Sequence, residues 1–316
     1  MKEGLTMIEV RNLGKTFKDK VAVEDVNFYM NEGESVGLLG PNGAGKSTTI
    51  SMISTLLPPT KGTVKYHGED VLKNPEELRK DLGLVPQDIA LYPELSAYEN
   101  MKFFGKIYGL SGENLEEKIQ ENLKLVGLED RQKDAVETYS GGMKRRINIA
   151  VALMHDPEIM IMDEPTVGID PQSRNYILDM VRNLNREKGL TVLYTSHYME
   201  EVEKLCDRVY IMDHGEIIAS GTKAELKSIL SNEETVQIQV VHKNELFRKQ
   251  LAVQPGVNRV VENDQGYNLI ISNGEQLLSK IFEIAKQTDA QITSLNIQTP
   301  TLEDVFLHLT GRKLRD

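Results

Sequence analysis

The residues best suited to chemistry stand in two short runs. Gly40-Pro41-Asn42-Gly43-Ala44-Gly45-Lys46-Ser47-Thr48 fits the phosphate-loop spacing G-x-x-x-x-G-K-S. Glycines let such a loop curl until successive backbone N–H groups converge on one anion. A helix starting directly after the loop adds a favourable dipole. Lys46 is then placed to reach the β- and γ-phosphates of a nucleotide, and Ser47 to ligate Mg²⁺. The second run is Ile159-Met160-Ile161-Met162-Asp163-Glu164. Its apolar part reads as a buried strand, and two carboxylates leave the C-terminal end, where ligands of parallel sheets sit. Asp163 would hold Mg²⁺ directly or through water, and Glu164 would polarise an attacking water. Paired acids after a strand are often only a solvated loop. The phosphate loop upstream in the same domain is what favours chemistry here.

These runs need a scaffold. Val36-Gly37-Leu38-Leu39 reads as a short apolar strand leading into the loop. A helix is expected from about Lys46, with Ile50, Ile53, Leu56 and Leu57 on one side, until Pro58-Pro59 stops it. Upstream, Ile8 and Val10, then Val26, Phe28 and Met30, alternate as two strands of antiparallel sheet do. Residues 90–138 read mostly as helices separated by Gly109 and Gly127. Thr191 to Thr195 is a strand rich in β-branched residues, and Val209 to Ile218 reads as a hairpin. Strands alternating with helices predict an α/β domain with a mainly parallel sheet over residues 1–230.

A boundary is expected near Ser231-Asn232-Glu233-Glu234. Beyond it the order β (235–241), α (243–253), β (257–263), β (267–272), α (275–288), β (291–298) matches the ferredoxin-like split βαββαβ, a small α+β domain over 231–316. In its second helix Leu278, Ile281, Phe282 and Ala285 recur at helical spacing. A last helix is capped by Thr301, with Asp304 three residues on, and carries the stripe Leu302, Val305, Phe306 and Leu309. That stripe either covers the domain's own sheet or holds and regulates a pair of chains.

Bulk properties exclude several classes. A chain of 316 residues suits about two domains. The net charge of -11 argues against nucleic acid as the main partner, because phosphate backbones demand clustered Lys and Arg. Cys206 is the single cysteine, so no disulfide framework forms within one chain, which fits a reducing compartment. The first residues carry no apolar signal core. No apolar run reaches the roughly 18 residues of a membrane span, so a transport role requires a separate membrane subunit.

Ser140-Gly141-Gly142, just ahead of a helix and upstream of the two acids, completes an ordered set. With the two runs above it resembles the ATP-binding subunits of ATP-binding cassette (ABC) transporters, over about residues 7–225. Gln87 stands where that family has its Q-loop, His197 where it has its switch histidine, and Gly168-Ile169-Asp170 resembles its D-loop. Phe17 stands where an aromatic stacks on adenine, although ordinary sheet packing is the competing reading. The common signature Leu-Ser-Gly-Gly-Gln is here Tyr139-Ser140-Gly141-Gly142-Met143, and Met143 cannot hydrogen-bond as glutamine does. Tyr and Met occur here in the drug- and antibiotic-exporting class with ABC-2-type permeases, which the segment Thr299 to Leu307 also resembles.

The resemblance implies a phosphate-loop NTPase domain with an antiparallel β subdomain and a helical subdomain at about 88–145. It implies an ATPase using ATP and Mg²⁺, with Ser47, Gln87 and Asp163 at the metal, and Glu164, His197 and Gln87 at the reaction. ATP would bind through Phe17, the loop Gly40 to Thr48 and Asp170. Ser140, Gly141 and Gly142 would act on the nucleotide of a second copy, so that a homodimer holds two sites. The partner would be a separate permease, with the chain peripheral on the cytoplasmic face of the membrane and exporting. Competing readings are a soluble cassette protein of translation or DNA repair, which would carry two cassettes or long coiled coils, and a sensor that hardly turns over. Among secondary features, Lys144-Arg145-Arg146 reads as a solvated helix start. Phe103 reads as helical core, and Tyr92 and Tyr98 stand between core and partner surface.

Overall fold

In the computed structural model, residues 5–230, 234–263, 265–272, 277–298 and 301–310 are described. Strand β1 (Thr6–Phe17) pairs with β2 (Lys20–Asn31) in an antiparallel register that sets Ile8 opposite Met30, Val10 opposite Phe28 and Leu13 opposite Val26. All six are buried. The period-2 alternation therefore points one face of this sheet into the core. Strand β3 (Ser35–Leu39) is buried along its whole length and runs into the phosphate loop, after which α1 (Lys46–Ile53) begins. The helix stops sooner than the prolines suggest. Thr55 turns left-handed (φ 60°), and the N–H groups of Leu56 and Leu57 fold back onto the carbonyl of Ser51. This leaves Leu56 exposed rather than on the helix's apolar side.

Strands β4 (Lys61–Tyr66) and β5 (Glu69–Asp70) complete the antiparallel sheet in the order β2-β1-β4-β5. A short α2 (Pro75–Asp81) leads into β6 (Leu82–Val85). The helical region holds α3 (Ala97–Ile107), α4 (Gly112–Leu125) and α5 (Gly141–Ala152). Ser96 and Glu99 fix the start of α3 as a reciprocal capping box. The remaining elements of the cassette are β7 (Ile159–Met162), α6 (Pro171–Lys188), β8 (Thr191–Ser196), α7 (Met199–Leu205), β9 (Arg208–Asp213) and β10 (Glu216–Thr222). The second sheet runs β10-β9-β3-β8-β7-β6, parallel except for β10, which closes the β9 hairpin.

Phe103 differs from its reading as core. It is half-exposed and meets Tyr92 and Phe104 edge-on, at 5.1 and 5.3 Å between ring centroids. Position 103 faces out of α3 and the loop before the helix supplies Tyr92, so an aromatic cluster forms on the surface.

By its contacts the chain divides into two compact units, one reaching to Lys223 and the other running from Ala224. The second unit starts in α8 (Lys223–Ser228) and contains β11 (Glu234–Val240), α9 (Glu245–Ala252), β12 (Val257–Asn263), β13 (Gly266–Ile271), α10 (Leu277–Gln287), β14 (Ile292–Gln298) and α11 (Leu302–Thr310). The antiparallel order β12-β13-β11-β14 is the ferredoxin-like arrangement. Its core joins Val236, Ile238 and Leu269 of the sheet to Phe247, Leu251 and Ile281 of the two helices. Phe282 of the expected stripe is instead largely exposed. Thr301 and Asp304 bond each other's backbone N–H at the head of α11, whose Leu302, Val305 and Phe306 are buried.

Ile161 lies fully buried in β7. Ile161→Ala is expected to cost about 2–5 kcal/mol through lost burial and the cavity left behind. Val261→Ala on the sheet-edge strand β12 should stay within about 0.5 kcal/mol. Urea unfolding midpoints of the two variants check the contrast.

Candidate active site

The parallel strands β3, β8 and β7 lie side by side, with Leu39 opposite Ser196 and Met162 opposite Tyr194. Their C-terminal ends therefore deliver the phosphate loop, His197 and the Asp163-Glu164 pair to one place. In the loop Gly43 and Gly45 have φ 82° and 106°, values that side chains rarely adopt. A Cβ on Gly40 would fall 2.2 Å from the carbonyl oxygen of Met212, so only glycine fits there. Lys46 is buried at the first position of α1. Its ammonium donates to the carbonyls of Gly40 (2.8 Å) and Pro41 (3.0 Å) and pairs with Glu164 Oε1 at 3.0 Å. An ammonium has three donors, and all three are engaged.

Glu164 is held unusually. Its φ is 44°, a left-handed value for a non-glycine residue, and Pro165 follows it. Such backbone costs about 1–3 kcal/mol and persists only where the surroundings enforce it. The enforcement comes from Thr195 on β8. Its hydroxyl donates to Asp163 Oδ1 at 2.8 Å and accepts the N–H of Glu164 at 2.9 Å. The side chain of Glu164 is fixed at both oxygens, by Lys46 at Oε1 and by His197 Nδ1 at 3.2 Å from Oε2. Lysine, carboxylate and imidazole thus form one chain of contacts, buried at Lys46 and Glu164 and partly open at His197.

A cleft of about 580 Å³ opens over this chain. Asn42, Gly43, Gly45, Lys46, Ser47 and Thr48 line it from the loop, together with Gln87 and Glu164. Asp163 and His197 stand behind the lining, joined to it through Thr195 and Glu164. Lys20, Val21, Ala22 and His214 line the remaining wall, which the sequence reading did not anticipate. Phe17 sits half-exposed where β1 turns into β2, with the Lys15 ammonium 5.3 Å from its ring centroid.

Ser140, Gly141, Gly142 and Asp170 do not line the cleft. They form a second cluster in the same chain. Ser140 caps α5 by accepting the N–H of Met143 at 3.3 Å. Asp170 caps α6 by accepting the N–H of Ser173 at 2.9 Å, and the Ser173 bonds hold its carboxyl below the usual range. Gly142 packs so tightly on Ser173 that a Cβ would come within 2.1 Å of its hydroxyl.

The basic run at the start of α5 corrects the reading of a solvated helix start. Arg145 is buried and donates to the carbonyls of Pro86 (2.9 Å) and Gln87 (2.6 Å). Burial pulls its guanidinium below the ordinary arginine value. Arg146 donates to the carbonyl of Val126 at 2.7 Å and lies over the Tyr176 ring. Arg145 thereby ties the helix that follows Ser140 to the backbone that carries Gln87. A run of basic residues gives no sequence signal for such a role. Thr195 had a faint one, a hydroxyl on a buried strand two residues before a histidine.

Residues 23–167 match the ABC transporter family, and residues 221–310 match the C-terminal domain of ATP-binding proteins described as DrrA1-3-like. The chain is 49% identical to the linearmycin resistance ATP-binding protein LnrL of Bacillus subtilis, over 98% of this chain and all of that one. It is 35% identical to the daunorubicin/doxorubicin resistance ATP-binding protein DrrA of Streptomyces peucetius, over 98% and 94% of the two chains. A solved structure, the dimeric post-hydrolysis state of the ATP-binding cassette MJ0796 bound to ADP and Pi, superposes with a TM-score of 0.63. It is 30% identical and covers 68% of this chain and 98% of its own. The protein belongs to the ABC transporter ATP-binding subunits. Within them it is an ATP-hydrolysing subunit of the resistance and export type, with the C-terminal domain of that type.

Thr195→Val keeps the side-chain shape but removes the hydroxyl that bonds both Asp163 and the N–H of Glu164. The buried N–H is then left without that acceptor, at a cost of about 1–3 kcal/mol. A lowered denaturant midpoint together with reduced ATP turnover is the expected outcome.

Proposed function

We propose that the cleft binds ATP with Mg²⁺ and that Glu164 and His197 carry out hydrolysis. The contact chain Lys46–Glu164–His197 at the mouth of the phosphate loop is the observation that carries this reading. Phosphate oxygens entering the loop meet converging backbone N–H groups and compete with Glu164 for the third Lys46 donor. Glu164, so released, is free to accept a proton from a water aligned with the γ-phosphate. His197 would contact that phosphate while keeping Glu164 oriented. Phe17 would stack on the base.

The residues proposed at the metal fit Mg²⁺. Ser47, Gln87 and Asp163 offer a hydroxyl, an amide carbonyl and a carboxylate, the oxygen donors this ion prefers. Among the described residues no group of three His, Cys, Asp or Glu gathers to hold a metal. The ion would therefore take its other ligands from phosphates and water. When bound, it would neutralise phosphate charge.

Ser140, Gly141, Gly142 and Asp170 lie outside the cleft of their own chain, which supports their acting on the nucleotide of a second copy. Two copies related by a two-fold axis would then hold two equal sites, closing on ATP and opening after hydrolysis. Gln87 reaches the cleft while its backbone is tied to the Ser140 helix through Arg145, so this segment is the proposed transmitter to the membrane partner. No helix among the described residues is long and apolar enough to cross a membrane. The partner proposed is a separate ABC-2-type permease, with the chain on its cytoplasmic side. Residues 1–230 would be the nucleotide-binding domain, with its helical subdomain at about 88–145, and residues 231–316 would hold or regulate the dimer.

Lys46→Ala should abolish tight ATP binding, whereas Glu164→Gln should retain it. The amide cannot accept the proton, so turnover of Glu164→Gln should fall by about 10²- to 10⁴-fold and an ATP-bound dimer should accumulate. Normal turnover in this variant would remove Glu164 from the reaction. Deleting residues 232–316 should leave nucleotide binding intact while weakening dimerisation or transport. Sedimentation with and without ATP, alongside a transport assay, reads that outcome; unchanged dimerisation with full transport would show the domain to be dispensable.

A further inference from the structure

Glu201 lies in α7, is 2% exposed, and has no part in the nucleotide site as described above. Its carboxylate accepts hydrogen bonds from two segments and pairs with a cation from a third. The Thr166 hydroxyl stands 2.7 and 2.8 Å from its two oxygens. The Tyr194 hydroxyl donates to Oε2 at 2.9 Å and the Ser196 hydroxyl at 2.8 Å. Arg174 Nε lies 3.2 Å from Oε1 as an ion pair. Burial, reinforced by Glu201, pushes the Tyr194 phenol well above its ordinary value, so it stays a donor.

The origin of these donors matters more than their number. Thr166 follows Glu164 by two residues. Ser196 immediately precedes His197, and its oxygen also accepts the N–H of Tyr198 at 2.9 Å, so both neighbours of His197 are anchored. Arg174 belongs to α6, the helix that Asp170 caps, and its guanidinium lies 4.7 Å from the centroid of the Tyr198 ring. One buried carboxylate thus joins the segments carrying Glu164, His197 and Asp170.

We propose that Glu201 is a positioning residue for ATP hydrolysis, holding the Glu164 and His197 segments in the register that aligns them. The inference rests on the assignment of hydrolysis to Glu164 and His197. A carboxylate suits this junction because it accepts at both oxygens. An amide brings one acceptor and two N–H groups; hydroxyls could turn to accept the N–H groups, but the guanidinium has no lone pair to offer, and the ion pair with it is lost. The segments then shift, and small shifts at a reacting centre lower rate without lowering ground-state binding.

Glu201→Gln in the full-length chain is the test. ATP affinity should stay within about twofold, while kcat falls about tenfold to a hundredfold at nearly unchanged KM. Inhibition by ADP with vanadate, a mimic of the transferring phosphoryl group, should weaken by a similar factor. Unchanged kcat overturns the inference. A loss of ATP affinity in step with kcat also overturns it, because plain unfolding would do the same. If Glu201→Gln does not fold, Thr166→Val removes one donor at constant shape and should show the same split; normal kcat in that variant overturns the proposal. Glu164→Gln run in parallel separates the two readings. Should it hydrolyse ATP normally, the site assignment itself falls. Should it be inert while Glu201→Gln and Thr166→Val turn over normally, only the role of Glu201 falls.

Discussion

The registered pairing of β3, β8 and β7 is the constraint on which the rest depends. Lys46 follows the first strand, His197 the second and Glu164 the third; Lys46 lies over a hundred residues from the other two, which are themselves 33 residues apart. No local sequence preference brings them together. The parallel ladder does, because shifting one strand by a single residue would turn its side chains to the other face and misplace the group at its end. The strands are buried along their whole lengths, so packing of their mostly apolar residues fixes that register. The groups at the strand ends can then carry strain, as Glu164 does at φ 44°, because the sheet beneath them does not yield.

Much of this was legible in the sequence, for identifiable reasons. The phosphate loop is contiguous, and its glycines are demanded by backbone geometry. The ferredoxin-like order of the C-terminal unit followed from alternation and helical spacing, each a local pattern. What the sequence hid was non-local. The end of α1 depends on a left-handed Thr55, not on the prolines that follow. Phe103 joins an aromatic cluster at the surface because the loop bearing Tyr92 folds over α3. Arg145 reads as a solvated cation until Pro86 and Gln87, some sixty residues upstream, present their carbonyls to it. Within the site, Thr195 escaped notice because its two bonds go to residues just beyond the end of another strand, over thirty positions away in sequence.

The departure of the signature from its common form has a physical reading in this fold. The contacts that shape Tyr139 to Met143 are made by backbone, by Ser140 and by the buried Tyr139, whose hydroxyl donates to the Arg131 carbonyl; among the described residues none involves the Met143 side chain. The serine hydroxyl takes the N–H of Met143, and Gly142 admits Ser173 so closely that no side chain could stand there. A change of the side chain at 143 from amide to thioether leaves those contacts in place. The geometry of the Ser-Gly-Gly turn is therefore independent of whether glutamine is present. Only what the side chain offers a ligand or partner differs.

Buried charge marks the joints of the cassette. Lys46 with Glu164, Arg145 with two carbonyls, and Glu201 with its four neighbours each connect segments far apart in sequence. Taking charges out of water is costly, and a hydrophobic joint of the same size is often at least as stable. Apolar packing, however, tolerates small slides, while a carboxylate surrounded by directional donors does not. A cluster in which one carboxylate meets an ammonium at 3.0 Å and an imidazole at 3.2 Å gains more from direction than from stability. The placement of these joints, one at the strand ends and two on helices beside a largely apolar sheet, follows that division. Packing of the sheet stabilises the fold, and the charges fix the relative placement of the segments they join.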